Sequence, residues 1–190
     1  GEVPVDARFG DVDLDNMPEV IVGRLPVNTA AQTADVVGKI LAYENGPAGP
    51  WMRRTLMVAD DGETSPEGYD LVLDGLAEDY LPPHIGVERV YVADYCPTIG
   101  AVCPTATAAI TQTWSQGVAL LTYAGHGSIY RWGHEAFLIN TDLASLTGTT
   151  GLPLVISLDC WDGYWMFPDK YPGLNRDVRS IGEWATAVLT

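Results

Sequence analysis

Five short apolar runs divide the chain: Val20–Val22, Thr55–Ala59, Val87–Ala93, Val118–Tyr123 and Leu152–Leu158. The first four are separated by stretches of helical periodicity, and this alternation constrains the fold more than any other feature. A strand that recurs after each helix rejoins its predecessor as a parallel neighbour, with the helix packed back across a face of the sheet. The chain therefore reads as α/β: a doubly wound, mainly parallel sheet with helices on both faces. Val118–Tyr123 is almost continuously apolar, as a strand covered on both faces must be. The 190 residues suit one domain, or one domain with a small appendage, and are enough to bury a core.

The helices carry their own punctuation. Thr29-Ala30-Ala31-Gln32 reads as a capping box, and Val36, Val37, Ile40 and Leu41 recur at helical spacing as far as about Tyr43. Asn45-Gly46-Pro47-Ala48-Gly49-Pro50 then breaks the chain. A second helix is expected from about Pro66 to Leu81, with Leu71, Leu73, Leu76 and Tyr80 on or near its inner face, stopped by Pro82-Pro83. A third covers Thr105 to Gln116, and Ser180-Ile181-Gly182-Glu183 is a second capping box opening a helix to about Leu189.

Ligands of open α/β sheets bind beyond the carboxyl ends of the strands. Two strand ends here deliver a reactive pair. Val118–Tyr123 runs into Ala124-Gly125-His126-Gly127-Ser128, and Leu152–Leu158 runs into Asp159-Cys160. An imidazole can take the proton of a thiol, and the thiolate is the nucleophile. The backbone N–H groups of Gly127 and Cys160 are placed to meet the oxygen of a carbonyl under attack. Taken singly, Gly-His-Gly is only a tight turn and a strand-end cysteine only a small hydrophobe. Their common edge of one sheet is what favours a His126–Cys160 dyad.

Ten basic residues against twenty-five acidic ones leave a net charge of −15, which disfavours nucleic acid and anionic membrane surfaces as partners. No apolar run is long enough to span a bilayer. The opening Gly1-Glu2-Val3 and the stop at Leu189-Thr190, just after an apolar helical stretch, suggest a piece of a longer protein linked to further domains. Cys96 and Cys103 flank a loop rich in turn formers, Pro97-Thr98-Ile99-Gly100-Ala101-Val102. Their pairing in a disulfide would imply an oxidising, extracellular or cell-surface setting and would leave Cys160 as the odd, reactive thiol.

Val20-Ile21-Val22-Gly23-Arg24-Leu25-Pro26-Val27, followed by a helix ending Lys39-Ile40-Leu41-Ala42-Tyr43-Glu44, is similar to the opening of the gingipain-type cysteine peptidases of the caspase-like superfamily. Leu121-Thr122-Tyr123-Ala124-Gly125-His126-Gly127-Ser128 matches their catalytic histidine segment, and Ser157-Leu158-Asp159-Cys160-Trp161-Asp162-Gly163-Tyr164 their catalytic cysteine segment. Ser180-Ile181-Gly182-Glu183 is similar to the helix start that follows. The resemblance implies thiol-mediated hydrolysis of a peptide bond, with a protein or peptide as substrate and no cofactor needed for catalysis. It gives His126 as base, Cys160 as nucleophile and the backbone of Gly127 and Cys160 as oxyanion hole. It also implies an acid from the loop after an earlier strand to orient the histidine, for which Asp61 is the first choice and Glu63 the next.

Residues 1–50 are then the N-terminal part of the peptidase domain, and residues 51–190 the catalytic caspase-like subdomain. Trp161 and the aromatic run Tyr164-Trp165-Met166-Phe167 could line the substrate groove. Asp11, Asp13 and Asp15 alternate as oxygen ligands do in calcium loops, although the glycine and distal glutamate of an EF-hand are missing. The calcium binding that the resemblance implies makes a structural calcium one reading of this segment, with a plain acidic turn as the alternative. His134 and His84 suggest no role. Two other functions fit the same residues: a related cell-surface thiol acyltransferase, sortase-like, in which an amine replaces water, and a non-catalytic binding module.

Overall fold

The structure, a computed structural model, describes residues 6–27, 29–62, 67–96, 98, 101–146 and 151–163. Helix α1 (Ala30–Asn45) opens on the expected capping box: Thr29 accepts the Gln32 N–H, and the Gln32 side chain accepts the Thr29 N–H. Strand β1 (Arg54–Ala59), helix α2 (Tyr69–Tyr80), strand β2 (Gly86–Tyr91), the short helix α3 (Val92–Tyr95) and helix α4 (Pro104–Ser115) follow. Strand β3 (Leu120–Ala124) leads into three two-residue strands, β4 (Gly127–Ser128), β5 (Arg131–Trp132) and β6 (Leu138–Ile139), before strand β7 (Leu154–Leu158).

The main sheet has the order β2-β1-β3-β7, with every neighbouring pair parallel. β1 shows why it needs helices on both faces. Leu56 and Val58 join one core with Ile110 and Trp114 of α4, whereas Met57 and Ala59 join another with Leu73 and Ala77 of α2. Alternate side chains of a strand point to opposite faces, so a strand apolar at consecutive positions must be covered twice. Each such aliphatic side chain taken out of water contributes about 1.5–3 kcal/mol before entropy is counted. This is the mainly parallel α/β architecture, with helices on both faces, expected from the alternation.

Three local differences have physical causes. Val20–Val22 is not a strand: Ile21 is fully exposed, and no described strand pairs with the segment. Three apolar residues without a ladder partner do not make a strand. The apolar stripe of α1 is likewise mostly open, with Val36 buried but Val37, Ile40 and Leu41 exposed. The strand expected to reach Ala93 ends at Tyr91, where the chain turns into α3. The helix at 180–189 and the aromatic run after Gly163 lie outside the described residues.

Cys96 and Cys103 are joined in a disulfide with their Cα atoms 5.9 Å apart, and Cys103 is buried against α4's core. Cys160 is free and exposed. Among the described residues, no helix is long and apolar enough to cross a membrane.

Candidate active site

β3 and β7 are neighbours in register, Tyr123 opposite Ser157 and Ala124 opposite Leu158. They therefore end level, and Gly125-His126 and Asp159-Cys160 leave the same edge of the sheet. The Gly125 N–H donates to the Leu158 carbonyl at 3.3 Å, holding the two exits together one step past the strands. Beyond that the chains touch. A Cβ on Gly127 would fall 2.0 Å from Asp159 Oδ2 and 2.6 Å from the Cys160 carbonyl oxygen; one on Gly125 would fall 2.3 Å from Asp60 Cβ and 2.5 Å from the Tyr123 hydroxyl. Both glycines beside the histidine are required by close approach.

The backbone of His126 is held on both sides. Its N–H donates to Asp60 Oδ2 at 2.9 Å. Its carbonyl accepts the Tyr123 hydroxyl at 2.5 Å and the Gly133 N–H at 2.8 Å. Tyr123 is itself fixed, stacked on Trp132 with ring centroids 4.2 Å apart and meeting Phe137 edge-on. Because His126 and Gly133 share a hydrogen bond, the alternation of an antiparallel ladder puts Gly127 at the non-hydrogen-bonded position opposite Trp132. The Gly127 N–H consequently points away from β5.

The imidazole Nε2 lies 3.0 Å from Glu67 Oε2 and 3.4 Å from the Tyr69 hydroxyl, which donates to the same Glu67 oxygen at 2.7 Å. Burial, followed by the Glu67 hydrogen bond, pushes the Tyr69 hydroxyl up to about 12, so it serves as a donor throughout the physiological range. His134, read from the sequence as having no role, brings its ring within 5.2 Å of the His126 ring. His84 is exposed.

Asp61, chosen from the sequence to orient the histidine, is not the carboxylate at the imidazole. It sits at the end of β1 beneath the histidine turn, buried with Asp60 and Glu135, and both its carboxylate oxygens lack a hydrogen-bond partner among the described residues. Burial, followed by the charges of Glu135 and Asp60, pushes it up to about 6. Glu63 lies outside the described residues. Glu67, at the far end of the same loop and just ahead of α2, reaches the ring instead. A loop can bring any of its acids back to the strand end, so spacing alone did not distinguish Glu67 from Asp61. Its nearness to Tyr69, at the start of a helix, was the only local sign.

The cysteine turn is held by acids. Asp162 is buried; its Oδ2 accepts the Trp132 indole N–H at 2.9 Å and the Ser157 hydroxyl at 2.7 Å. Asp159 accepts the same hydroxyl at 3.2 Å. Burial, and then the neighbouring Asp162, push Asp159 up to about 7. Trp161, directly after the thiol, has a left-handed backbone with φ of 76°, a costly conformation for a bulky residue and one that concentrates at functional turns.

Asp11, Asp13 and Asp15 gather ligand oxygens within 4.8 Å of one another, and Asp11 Oδ1 is buried without a hydrogen-bond partner. An all-carboxylate set of this kind fits a hard cation such as calcium.

The chain is 24% identical over 166 residues to gingipain R2 and to gingipain R1 of Porphyromonas gingivalis. The alignments cover 85% of this chain but 22% and 16% of those relatives, so the chain spans less than a quarter of either. Among solved structures it resembles the Arg-specific cysteine proteinase gingipain R with a TM-score of 0.67 at 20% identity, over 95% of this chain and 39% of that one. The complex of the Porphyromonas gingivalis RgpB pro- and mature domains gives a TM-score of 0.68, also at 20% identity, over 96% and 41%. The family model of peptidase family C25 matches residues 1–183, and the chain belongs to that family.

Proposed function

We propose that this chain carries the catalytic centre of a cysteine endopeptidase, with Cys160 as nucleophile and His126 as base. The observation that carries the reading is the packing of Gly127 directly against Asp159 and Cys160 at the level ends of β3 and β7. Glu67 engages Nε2, which leaves Nδ1 as the ring nitrogen that takes the Cys160 proton. The thiolate attacks the scissile carbonyl, and the oxyanion is met by the N–H groups of Gly127 and Cys160. The imidazolium then returns the proton to the leaving amine, and the carbonyl stays on sulfur as a thioester. Water, deprotonated by His126, attacks the thioester, releases the acid and restores the thiol.

Glu67 is a positioning residue in this scheme, held in turn by Tyr69. Asp11, Asp13 and Asp15 hold a structural calcium, supported by their clustered oxygens. An extracellular or cell-surface setting is supported by the disulfide.

A peptide library, offered with and without an added amine, tests the reaction. Hydrolysis in both cases supports the proposal, amine-dependent products point to acyl transfer, and no reaction with any peptide leaves a binding module. Cys160→Ala is expected to reduce cleavage by roughly 10⁴-fold or more with almost no change in melting temperature. Iodoacetamide labelling of Cys160 should proceed below the pH of about 8.5 at which an ordinary thiol ionises, and His126→Ala should move it upward. An unmoved labelling profile would end the dyad.

A further inference from the structure

Directly beneath the histidine turn lies a cluster that the proposed chemistry does not use. Asp60, Asp61 and Glu135 are exposed by only 5%, 6% and 1%, and each places a carboxylate oxygen within 4.8 Å of the other two. Three carboxylates this close and this dry repel one another, and burying charge is costly. Asp60 is partly satisfied, since Oδ1 accepts the Asp61 N–H at 2.9 Å and Oδ2 accepts the His126 N–H. Asp61 is not. Both its oxygens are buried and accept nothing from any described residue, although one of them faces the other two acids.

The surrounding backbone makes room for this arrangement. Gly133 has a left-handed φ of 69°, and a Cβ there would come within 3.0 Å of Glu135 Oε2. Gly125 leaves space beside Asp60 in the same way. The ligand atoms come from the end of β1 and from the turn between β5 and β6, segments that meet only in the folded chain.

We propose that Asp60, Asp61 and Glu135 bind a hard divalent cation, calcium, beneath the turn that carries His126. All three ligands are carboxylates, which selects an oxygen-seeking ion over zinc or copper. Calcium suits the cluster better than magnesium, because Asp60 is already committed to two N–H groups and cannot rearrange toward a strict octahedron. Since Asp60 Oδ2 also accepts the His126 N–H, an ion here secures the backbone of the turn.

The test uses chelator-stripped protein carrying Cys160→Ala, so that it is independent of peptidase activity, together with Asp13→Asn and Asp15→Asn to remove the other acidic cluster. Titration with calcium chloride in a calorimeter is expected to give one site. At roughly 100-fold excess over the dissociation constant, the unfolding midpoint should rise by about 5 °C. Magnesium chloride should bind at least about 10-fold more weakly. Asp61→Asn, nearly identical in shape, should abolish the heat and the shift. Absence of calcium binding at about 5 mM, or binding that Asp61→Asn leaves unchanged, would overturn the proposal and leave the three acids sharing a proton.

Discussion

The two turns that meet at the sheet edge are built in opposite ways. The histidine turn follows a central strand, is fixed by three hydrogen bonds to its backbone, and continues into the small β4–β6 sheet. The cysteine turn follows β7, which ends the order of the described sheet and leaves Leu154, Ile156 and Leu158 exposed. It is tied to its surroundings mainly through the buried Asp162 and the Ser157 hydroxyl. His126 thus sits on a rigid mount, whereas Cys160 sits on a more open one whose geometry depends on acids. The difference suggests that reactivity is set by how the second turn is pressed against the first.

Gly127→Ala attacks that contact and should have the largest effect. Its Cβ would meet the Cys160 carbonyl, a backbone atom that cannot swing aside. Stability should fall by about 1–3 kcal/mol, and cleavage by more than about 100-fold because a small misplacement of reacting groups is enough. Gly163→Ala, also in the cysteine turn, meets nothing within 4 Å among the described residues and should change stability by no more than about 0.5 kcal/mol. Equal effects from the two substitutions, in melting and in peptide turnover, would abolish the contrast.

Glu67→Gln sharpens the comparison on the other side. A buried orienting carboxylate can be worth about 10⁴ in rate. Glu67 is half-exposed, so kcat should fall only about 10- to 100-fold, with KM nearly unchanged. Steady-state kinetics will show whether KM carries the loss instead, in which case Glu67 contacts substrate.

Asp159→Asn should have the smallest effect. Its folded pKa is raised from 3.8 to about 7, so the folded state holds a proton that the unfolded chain releases near pH 4. Stability contributed by this group is therefore full in acid, falls as pH rises between about 4 and 7, and stays low above that. The amide variant should flatten the upper part of that decline in melting temperature. The slope below about pH 6 should persist, because Asp61 shifts in the same direction.

The parts of this arrangement that were legible in the sequence are those written in local pattern. Leu56 to Ala59 is apolar at every position, and that alone demands two covered faces. Thr29 and Gln32 announce a helix start that the structure reproduces atom for atom. β4, β5 and β6 were not legible, since a strand of two residues has no period and exists only through its partners. Val20–Val22 failed in the converse way, with strand-like residues and no described partner. The expectation of Asp61, with Glu63 next, did not anticipate the contact of Glu67 with the imidazole, because which acid reaches a ring is decided by the path of a loop. The pairing of Cys96 with Cys103 succeeded because the separation is short and filled with turn formers.

The hydrogen bond from the His126 amide to Asp60 has a consequence for solvent exchange. Asp60 follows β1 and His126 follows β3, the two inner strands of the described sheet. That amide proton is sealed behind a carboxylate that is itself buried, so deuterium replaces it only when the centre of the sheet parts. An exposed-edge turn would exchange through local fraying. This one should exchange on the timescale of global unfolding, which ties the placement of the imidazole to the stability of the whole domain.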